Sequence, residues 1–341
     1  MKKIVLTAIL AISTLVASAI VKPGVEVLRD GGFEQLQGKR VGLLTNPSGV
    51  DNNLVSTIDI LAQAKGVKLN ALYSPEHGVR GDVLAGEKVD TYVDKNTGVK
   101  VFSLYGKNKK PSAEMLKDID VLVYDIQDNG CRSFTFISTM GLCMEACAEN
   151  GKEFMVLDRP NPLSGLKVEG NIVEEGFFSL VSQFPIPYLY GLTPGELALM
   201  LNDGMLKGGV KTKLTVVPME GWHRYMTFEQ TGMPWILPSP HQPYPQSAIY
   251  YPTTGIIGEL YFVSIGVGYT MPFQLLCAPW IDANEFCKRL TAKNLKGVSF
   301  RPIHIKPFYS VSKGENIQGV QVYVNDVLDA DLTMVQFHAM E

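Results

Sequence analysis

The sequence predicts an α/β protein in which a parallel-sheet domain is followed by a smaller α+β domain. Apolar runs rich in Val, Leu and Ile show no polar alternation in the first half, which is typical of strands buried on both faces. These runs alternate with segments whose apolar residues recur at helical spacing, and such repetition indicates a parallel sheet. From about Ser164 the pattern changes, so we place the domains at residues 20–163 and 164–341.

Strands and helices alternate through the first domain. The first helix follows Asn52 and Asn53, either of which can cap its amino terminus. The predicted strands cover residues 39–45, 69–74, 101–105, 121–125 and 154–158, and the predicted helices cover residues 54–64, 112–118 and 134–150.

The second domain mixes short elements with proline-rich and glycine-rich segments. Thr193 and Glu196 form a capping box around Pro194, which predicts a helix through residue 202. Residues 235–251 are rich in proline, and a stretch this long and stiff is more typical of a functional loop than of a connector. The other predicted features are strands at 180–189, 214–219 and 319–325, a glycine-studded segment at 264–270, and helices at 283–292 and 331–341. The last helix has no capping signal, which favours a natural chain that continues past Glu341.

Composition and charge indicate a globular protein and argue against nucleic acid as a partner. Hydrophobic residues make up 46% and charged residues 19% of the 341 residues, and a chain of this length usually forms more than one domain. The formal net charge is −3, whereas surfaces that bind nucleic acid are basic.

The amino terminus has the pattern of a secretory signal peptide over residues 1–19. Lys2 and Lys3 precede an apolar run over residues 4–16, and small residues follow. The run is shorter than the roughly 20 residues that a membrane span needs. We therefore expect cleavage near Ile20 and a periplasmic or extracellular mature protein without a membrane span. Its five cysteines are an odd number, so at least one is unpaired.

Polar side chains cluster where the predicted strands end. The most prominent cluster lies in Ala-Leu-Tyr-Ser-Pro-Glu-His-Gly-Val-Arg-Gly, residues 71–81, where Pro75 ends the strand and ionisable residues follow. Such strand ends lie on one edge of a parallel sheet, where open α/β sheets bind ligands. The polar residues at or after these ends are Asn46, Glu76, His77, Arg80, Tyr105, Asp125, Gln127, Asp128, Asp158, Arg159 and Asn161. The sequence therefore predicts a site at this edge.

Several common kinds of site have no motif in the chain. The loop over residues 45–50 has neither GxGxxG nor a Walker lysine, which argues against a nucleotide enzyme. No serine lies in a GxSxG elbow, and neither CxxC nor HExxH occurs. We therefore expect no cofactor and no bound metal.

Five long motifs follow one another along the mature chain. They are Gly-Lys-Arg-Val-Gly-Leu-Leu-Thr-Asn-Pro-Ser-Gly-Val-Asp, Ser-Pro-Glu-His-Gly-Val-Arg-Gly, Asp-Ile-Gln-Asp-Asn-Gly-Cys-Arg, Val-Leu-Asp-Arg-Pro-Asn-Pro and Tyr-Gly-Leu-Thr-Pro-Gly-Glu-Leu-Ala. Together they resemble the NamZ-type exo-β-N-acetylmuramidases, long described only as a domain of unknown function. The resemblance implies a Rossmann-like domain beside a smaller α+β domain, with the site in the cleft between them. It also implies that the substrates are muramic acid saccharides from peptidoglycan, cleaved at the non-reducing end.

The resemblance places the family's proposed catalytic glutamate at Glu76. The chain departs from the family in its second domain. Where many members have Ser-Glu-Gly-Arg-Gly-Thr, it has Ser-Ile-Gly-Val-Gly-Tyr at residues 264–269, and Pro-Ser-Pro-Asn has become Pro-Ser-Pro-His, which ends at His241. The first change removes a carboxylate and a guanidinium, and the second makes His241 a candidate for substrate binding.

The chemistry of glycoside cleavage supports these assignments. The leaving oxygen needs a proton and the anomeric carbon needs a group that manages positive charge, which usually means two carboxyl groups. Glu76 is the predicted acid, and Asp125 or Asp128 is the second group, acting as a base or orienting the acetamido group. A guanidinium fork would hold the lactyl carboxylate of muramic acid well. Its candidates are Arg80, Arg132 and Arg159, and the other predicted substrate-binding residues are Asn46, His77, Gln127, Asp158 and Asn161.

Two alternatives stay open at the level of sequence. Asp125, Asp128, Asp158 and His77 could gather around a divalent ion, as in a metal-dependent hydrolase. The altered segment at 264–270 would also suit a catalytically silent protein that binds glycans.

Overall fold

The structure is a computed structural model that describes residues 20–81 and 91–341. The predicted signal peptide, residues 1–19, lies outside the described residues. The described strands are β1 (Arg40–Thr45), β2 (Lys68–Ser74), β3 (Tyr92–Val93), β4 (Lys100–Ser103), β5 (Val121–Asp125), β6 (Glu153–Leu157), β7 (Val168–Glu169), β8 (Leu189–Tyr190), β9 (Lys213–Val217), β10 (Leu275–Ala278), β11 (Val298–Ile305) and β12 (Ile317–Val324). The described α-helices are α1 (Gly24–Asp30), α2 (Thr57–Gln63), α3 (Ala113–Leu116), α4 (Phe136–Glu149), α5 (Pro194–Met200), α6 (Gln246–Gly258), α7 (Ala283–Ala292) and α8 (Met334–Met340).

A seven-stranded sheet in the order β3-β4-β2-β1-β5-β6-β9 forms the larger part of the fold. Every pairing in it is parallel except that of β3 with β4. The chain builds outward from β1 through β2 and β4, then returns to the other side of β1 to add β5, β6 and β9. This order reverses between β1 and β5, as it does in a Rossmann-like sheet. The predicted parallel α/β fold is confirmed.

Helices cover both faces of this sheet because its strands are apolar on both sides. On one face, Val41 and Leu43 of β1 share a buried cluster with Ile58 of α2. On the other face, Leu44 of β1 shares a cluster with Met140 of α4. Successive strand residues point to opposite faces, so an unbroken apolar run is what such a strand requires.

The elements predicted for the first domain are present with shifted ends. The helix predicted from residue 54 begins at Thr57, and its cap is Ser56, whose hydroxyl accepts from the Asp59 amide. Asn52, one of the predicted caps, instead donates its backbone and side-chain N–H groups to the Glu26 carboxylate.

The strand predicted at residues 214–219 is present as β9, but it belongs to the large sheet. It pairs in parallel with β6, and Leu214 and Val216 pack against the same cluster as Leu44. The change of pattern at Ser164 therefore marks a long excursion of the chain between β6 and α5, after which the chain returns to the sheet.

A second, three-stranded antiparallel sheet has the order β10-β12-β11. Its core joins Leu276 and Val320 of the sheet with Ile257 of α6, Leu290 of α7 and Val335 of α8. An antiparallel sheet with helices on it agrees with the predicted α+β class. The bounds predicted for α7 are those found.

Two expectations for the second half are wrong in detail. The proline-rich segment ends at Pro245, because residues from Gln246 form α6, with Pro252 inside the helix. The strand predicted at 180–189 is present only at its end, in β8, since a proline donates no ladder hydrogen bond.

All five cysteines are free thiols. None of the described helices is long and apolar enough to cross a membrane.

Candidate active site

The carboxyl ends of the central strands lie on one edge of the large sheet, as predicted. Register places Thr45 of β1 beside Asp125 of β5, and Ser74 of β2 beside Ser103 of β4. The polar residues that follow these strands therefore come from distant parts of the sequence to one side of the molecule.

Glu76 is a half-buried carboxylate two residues beyond β2. The hydroxyl of Thr135 donates to its Oε2 atom over 2.9 Å. Thr135 is the N-cap residue of the 14-residue helix α4, so the carboxylate stands at the positive end of that helix. One of its oxygens is thus fixed by the protein.

Tyr105, which follows β4, lies beside Glu76. Burial, and next the negative charge of Glu76, raise the pKa of Tyr105 to about 12. Glu259 and Tyr261, from the end of α6, act on the same phenol. Glu259 and Glu76 also help to raise the pKa of Tyr251, although burial is the main cause. The second half of the chain therefore contributes to the surroundings of Glu76.

The proline-rich segment closes over the same edge. The Asn46 side chain donates to the carbonyl of Pro238 over 3.0 Å. His77 is buried with its backbone in the left-handed region at φ +73°, and its charge adds to the burial that lowers the pKa of His241. His241 Nε2 lies 2.9 Å from the hydroxyl of Tyr309. Asn46, His77 and His241 therefore come together where the two parts of the molecule meet.

Asp125 is placed in a closed environment. Its side chain is fully buried, and Arg159 forms a two-point ion pair with it, in which Nη2 lies 3.0 Å from Oδ2. The Thr57 hydroxyl also donates to Oδ2. Protein groups therefore occupy both oxygens of Asp125, a predicted catalytic residue, as they do in a structural ion pair.

Asp158 is also occupied by protein groups. It accepts from the hydroxyl of Thr193 over 2.8 Å and from the amide of Gly195 over 2.7 Å, both at the start of α5. The Arg159 amide donates to it as well. Burial raises the pKa of Asp158 to about 6, against the effect of these donors. These hydrogen bonds connect the first turn of α5 to the end of β6.

Asp128 differs from these two carboxylates because one of its oxygens is free. Tyr190 and the Gly130 amide donate to Oδ2, whereas buried Oδ1 has no hydrogen-bond partner among residues 20–81 and 91–341. Burial raises the pKa of Asp128 to about 7. Neighbouring Gln127 and Asn161 donate to backbone carbonyls and so fix the loops around it.

The three candidate arginines have different partners. Arg80 pairs with both oxygens of Asp94 at 3.1 Å, and Arg159 pairs with Asp125. Arg132 forms no ion pair with any described residue; its Nη1 donates to two backbone carbonyls. Arg132 is therefore the candidate whose charge is uncompensated.

A cavity of about 710 Å³ opens between the two parts of the molecule beside these residues. Arg132, Ser133, Tyr188, Tyr251 and Glu259 contribute to its lining. The Ser133 hydroxyl lies 3.1 Å from that of Tyr188 and 3.2 Å from that of Tyr251. Glu76 does not line this cavity but lies near it, because its charge acts on Tyr251, which does.

Sequence reasoning missed Thr135, Tyr251 and Glu259. No motif contains them in a recognisable form, because each reaches the site only through the fold.

Residues 20–81 and 91–341 contain no group of three or more His, Cys, Asp or Glu side chains placed to hold a metal ion. Asp125 is paired with the Arg159 guanidinium, and Asp158 accepts from the Arg159 amide and from groups at the start of α5.

Family models agree with the arrangement of the chain. The amino-terminal model of the exo-β-N-acetylmuramidase NamZ matches residues 41–246, and the carboxyl-terminal model matches residues 249–341. The chain belongs to the NamZ family. A curated relative, the peptidoglycan β-N-acetylmuramidase NamZ of Bacillus subtilis (strain 168), is 48% identical over 306 residues, which cover 90% of this chain and 73% of the relative.

Two crystal structures of DUF1343 family proteins from Bacteroides fragilis NCTC 9343 are similar to this NamZ-family chain. One has a TM-score of 0.90 and 61% identity, covering 94% of this chain and 81% of that chain. The other has a TM-score of 0.72 and 31% identity, covering 88% and 76%. The resemblance drawn from the motifs, and the fold that it implied, are confirmed.

The segment at residues 264–270 keeps the two glycines of the family pattern, and its backbone requires both. Gly266 and Gly268 have φ of +86° and +94°, and a Cβ atom on either would lie 2.0 Å from a backbone carbonyl oxygen. Ile265 is buried in the core of the second domain. The Gly268 carbonyl accepts from the Phe308 amide over 2.7 Å, so the segment supports the loop that presents Tyr309 to His241.

Proposed function

We propose that this chain is an exo-acting glycoside hydrolase that releases N-acetylmuramic acid from the non-reducing ends of peptidoglycan fragments. The observation that carries the proposal is Glu76, a half-buried carboxylate fixed by Thr135 beside a cleft, in a chain of the NamZ family. The name of the Bacillus subtilis relative describes a β-N-acetylmuramidase that acts on peptidoglycan.

Glu76 is the proton donor in this proposal. Thr135 fixes one carboxyl oxygen, and in the proposal the carboxyl group delivers its proton to the oxygen of the scissile bond. Because the pKa of Tyr105 is raised to about 12, its phenol stays neutral at physiological pH and keeps a proton to donate. Tyr105 can therefore hydrogen-bond the ionised Glu76 after the proton has left.

Asp128 is the better candidate for the second carboxyl group. Arg159 and Thr57 occupy both oxygens of Asp125, whereas no described residue is a hydrogen-bond partner of Asp128 Oδ1. A pKa raised to about 7 gives Asp128 both protonation states near neutral pH. It can then orient the acetamido group of the sugar or accept a proton.

A catalytically silent glycan-binding protein is the second candidate, and one observation favours it. Residues 264–269 contain no carboxylate or guanidinium, and Ile265 points into the core. Any group that other family members supply from these positions is missing here.

The test is the turnover of defined saccharides by the purified protein. We expect it to release N-acetylmuramic acid from a disaccharide that has this sugar at the non-reducing end, and to release nitrophenol from the 4-nitrophenyl glycoside. A saccharide with N-acetylglucosamine at that end should resist. Binding without turnover would support the silent protein, and loss of turnover in chelator would support a metal-dependent hydrolase.

We also propose that the protein acts outside the cytoplasm. The support is the pattern over residues 1–19, with two lysines, an apolar run and small residues. Mass spectrometry of the exported protein should find a terminus near Ile20. Recovery of the intact chain from the cytoplasm would overturn this proposal.

A further inference from the structure

Arg132 is a buried cation whose direct partners are neutral. Its side chain is only 7% exposed. Nη1 donates to the carbonyls of Asn171 and Ile186 over 2.6 and 2.5 Å, and the guanidinium lies 5.6 Å from the centre of the Tyr188 ring. These contacts fix the position of the group but do not neutralise its charge.

No carboxylate of the described residues lies within 4.0 Å of Arg132. Its Nε atom is buried, and neither Nε nor Nη2 donates to any described residue. Burial of an unpaired charge is costly, and burial lowers the pKa of this arginine. Arg80 and Arg159 avoid the cost through their aspartate partners. Arg132 therefore lacks an anion that its environment favours.

The other charges of the cavity do not supply this anion. Of the described residues that line it, Arg132 is the only cation. Glu169 is paired with Lys167 at 2.5 Å and accepts from Thr333. Asp331 accepts from the Lys296 amide over 3.0 Å. Glu259 lies on the side of Tyr105 and Glu76.

Arg132 is also close to the proposed acid. It lies three residues before Thr135, whose hydroxyl binds Glu76. Three residues of chain span at most about 11 Å. A sugar bound with its glycosidic oxygen at Glu76 can therefore bring a substituent of its ring to the cavity wall.

We infer that Arg132 binds the lactyl carboxylate of the substrate and so selects muramic acid over sugars that lack this group. The inference rests on the proposed function for the identity of the sugar. Arg132 thereby acts as a specificity-determining residue, and its cost of burial in the free protein is offset when the carboxylate arrives.

The test compares two 4-nitrophenyl glycosides of N-acetylmuramic acid, one with the free lactyl carboxylate and one with the carboxamide. In Arg132→Met, kcat/KM for the acid should fall about 10- to 100-fold, the range of a lost charge-assisted hydrogen bond. For the amide it should change little. Arg132→Lys keeps the charge without the fork and should lie between the two.

Arg80→Met is the matched control, because Arg80 is paired within the protein and should leave the acid-to-amide preference unchanged. If kcat/KM falls equally for both glycosides in Arg132→Met, Arg132 has only a structural role and the inference is overturned. Calorimetric titration of the wild-type and variant proteins with N-acetylmuramic acid and with N-acetylglucosamine measures sugar binding without turnover. It therefore distinguishes failure of this inference from failure of the proposed function. A wild-type protein that binds the acid through Arg132 without turnover would refute the hydrolase and keep the inference.

Discussion

The carboxylates at the edge of the large sheet fall into an open group and a closed group. Glu76 is half-buried, beside a cavity, with one oxygen fixed by Thr135. Asp125 and Asp158 are buried, and protein donors occupy both oxygens of each. All three follow strands in the same way in the sequence. Position at a strand end therefore brings a carboxylate to the site, but its partners decide whether it is available to a substrate.

Asp128 lies between the two groups. It is as buried as the closed group, yet one oxygen has no partner within the part of the chain that the structure describes, and burial raises its pKa to about 7. A carboxyl group with this pKa and a free oxygen is typical of functional sites. The comparison predicts that substitutions in the open group change turnover, and substitutions in the closed group change stability.

Glu76→Gln should have the largest effect. The amide keeps the shape of the side chain but removes the acidic proton, so turnover should fall by roughly 10²- to 10⁴-fold while binding of the saccharide survives. An aryl glycoside needs less protonation of its leaving group, so it should lose less than a natural disaccharide. Steady-state kinetics on both substrates, with binding measured by calorimetry, checks this.

The stability of Glu76→Gln provides the control, because a half-buried side chain with one fixed oxygen should change the free energy of unfolding little. Equal loss of turnover on both substrates would argue against Glu76 as the acid.

Asp125→Asn should show the opposite behaviour. It leaves the buried guanidinium of Arg159 without a counter-charge, and the loss of one member of a buried pair costs about 3–5 kcal/mol. We expect urea denaturation to report a fall of this order in the free energy of unfolding. The folded fraction should retain most of its turnover, and a large fall in kcat with unchanged stability would place Asp125 in the reaction instead.

The sheet was predictable because its signals are local. Unbroken apolar runs such as the one in β1 can pack on both faces only within a covered parallel sheet. The sequence predicts β9 as a strand of the second domain, whereas it lies in the large sheet, because nothing in the sequence indicates that the chain returns after the excursion that begins near Ser164. β10 and β11 were missed. Four of the eight residues of β11 are exposed and only Ile305 is buried, so the strand shows neither a continuous apolar run nor a regular alternation.

The site was only partly predictable for a related reason. Strand ends are readable in a sequence, so Glu76, Asn46 and Asp128 could be named as candidates at this edge of the sheet. Hydrogen-bond partners far away in the chain are not readable, so the ion pair that occupies Asp125 and the helix start that occupies Asp158 were invisible. Glu259 was missed because it reaches Tyr105 from the end of α6, more than a hundred residues away in the sequence.

Thr193→Val should have the smallest effect. Thr193 caps α5 by accepting from the Glu196 amide, and its hydroxyl donates to Asp158. Valine keeps the shape but removes both hydrogen bonds. Loss of the cap should cost about 1 kcal/mol, and Thr193→Ser, which keeps the hydroxyl, is the matched control.

The cost of Thr193→Val should also depend on pH, because one of the lost bonds serves the ionised form of Asp158. The pKa of Asp158 in the folded protein is raised from 3.8 to about 6, so ionisation lowers native stability as the pH rises through this interval. The Thr193 hydroxyl opposes the rise in pKa, so its removal should raise the pKa further and extend the loss of stability to higher pH.

At pH 4 Asp158 is protonated in the folded state of both proteins, so the difference in their free energies of unfolding should be close to that of the cap alone. At pH 8 the carboxylate has lost a donor, and the difference should be larger by about 1 kcal/mol. Urea denaturation of both proteins at the two pH values measures this, since groups that titrate alike in both proteins cancel in the difference. A difference that is the same at pH 4 and pH 8 would show that Thr193 acts on α5 alone and contributes nothing to the closed environment of Asp158.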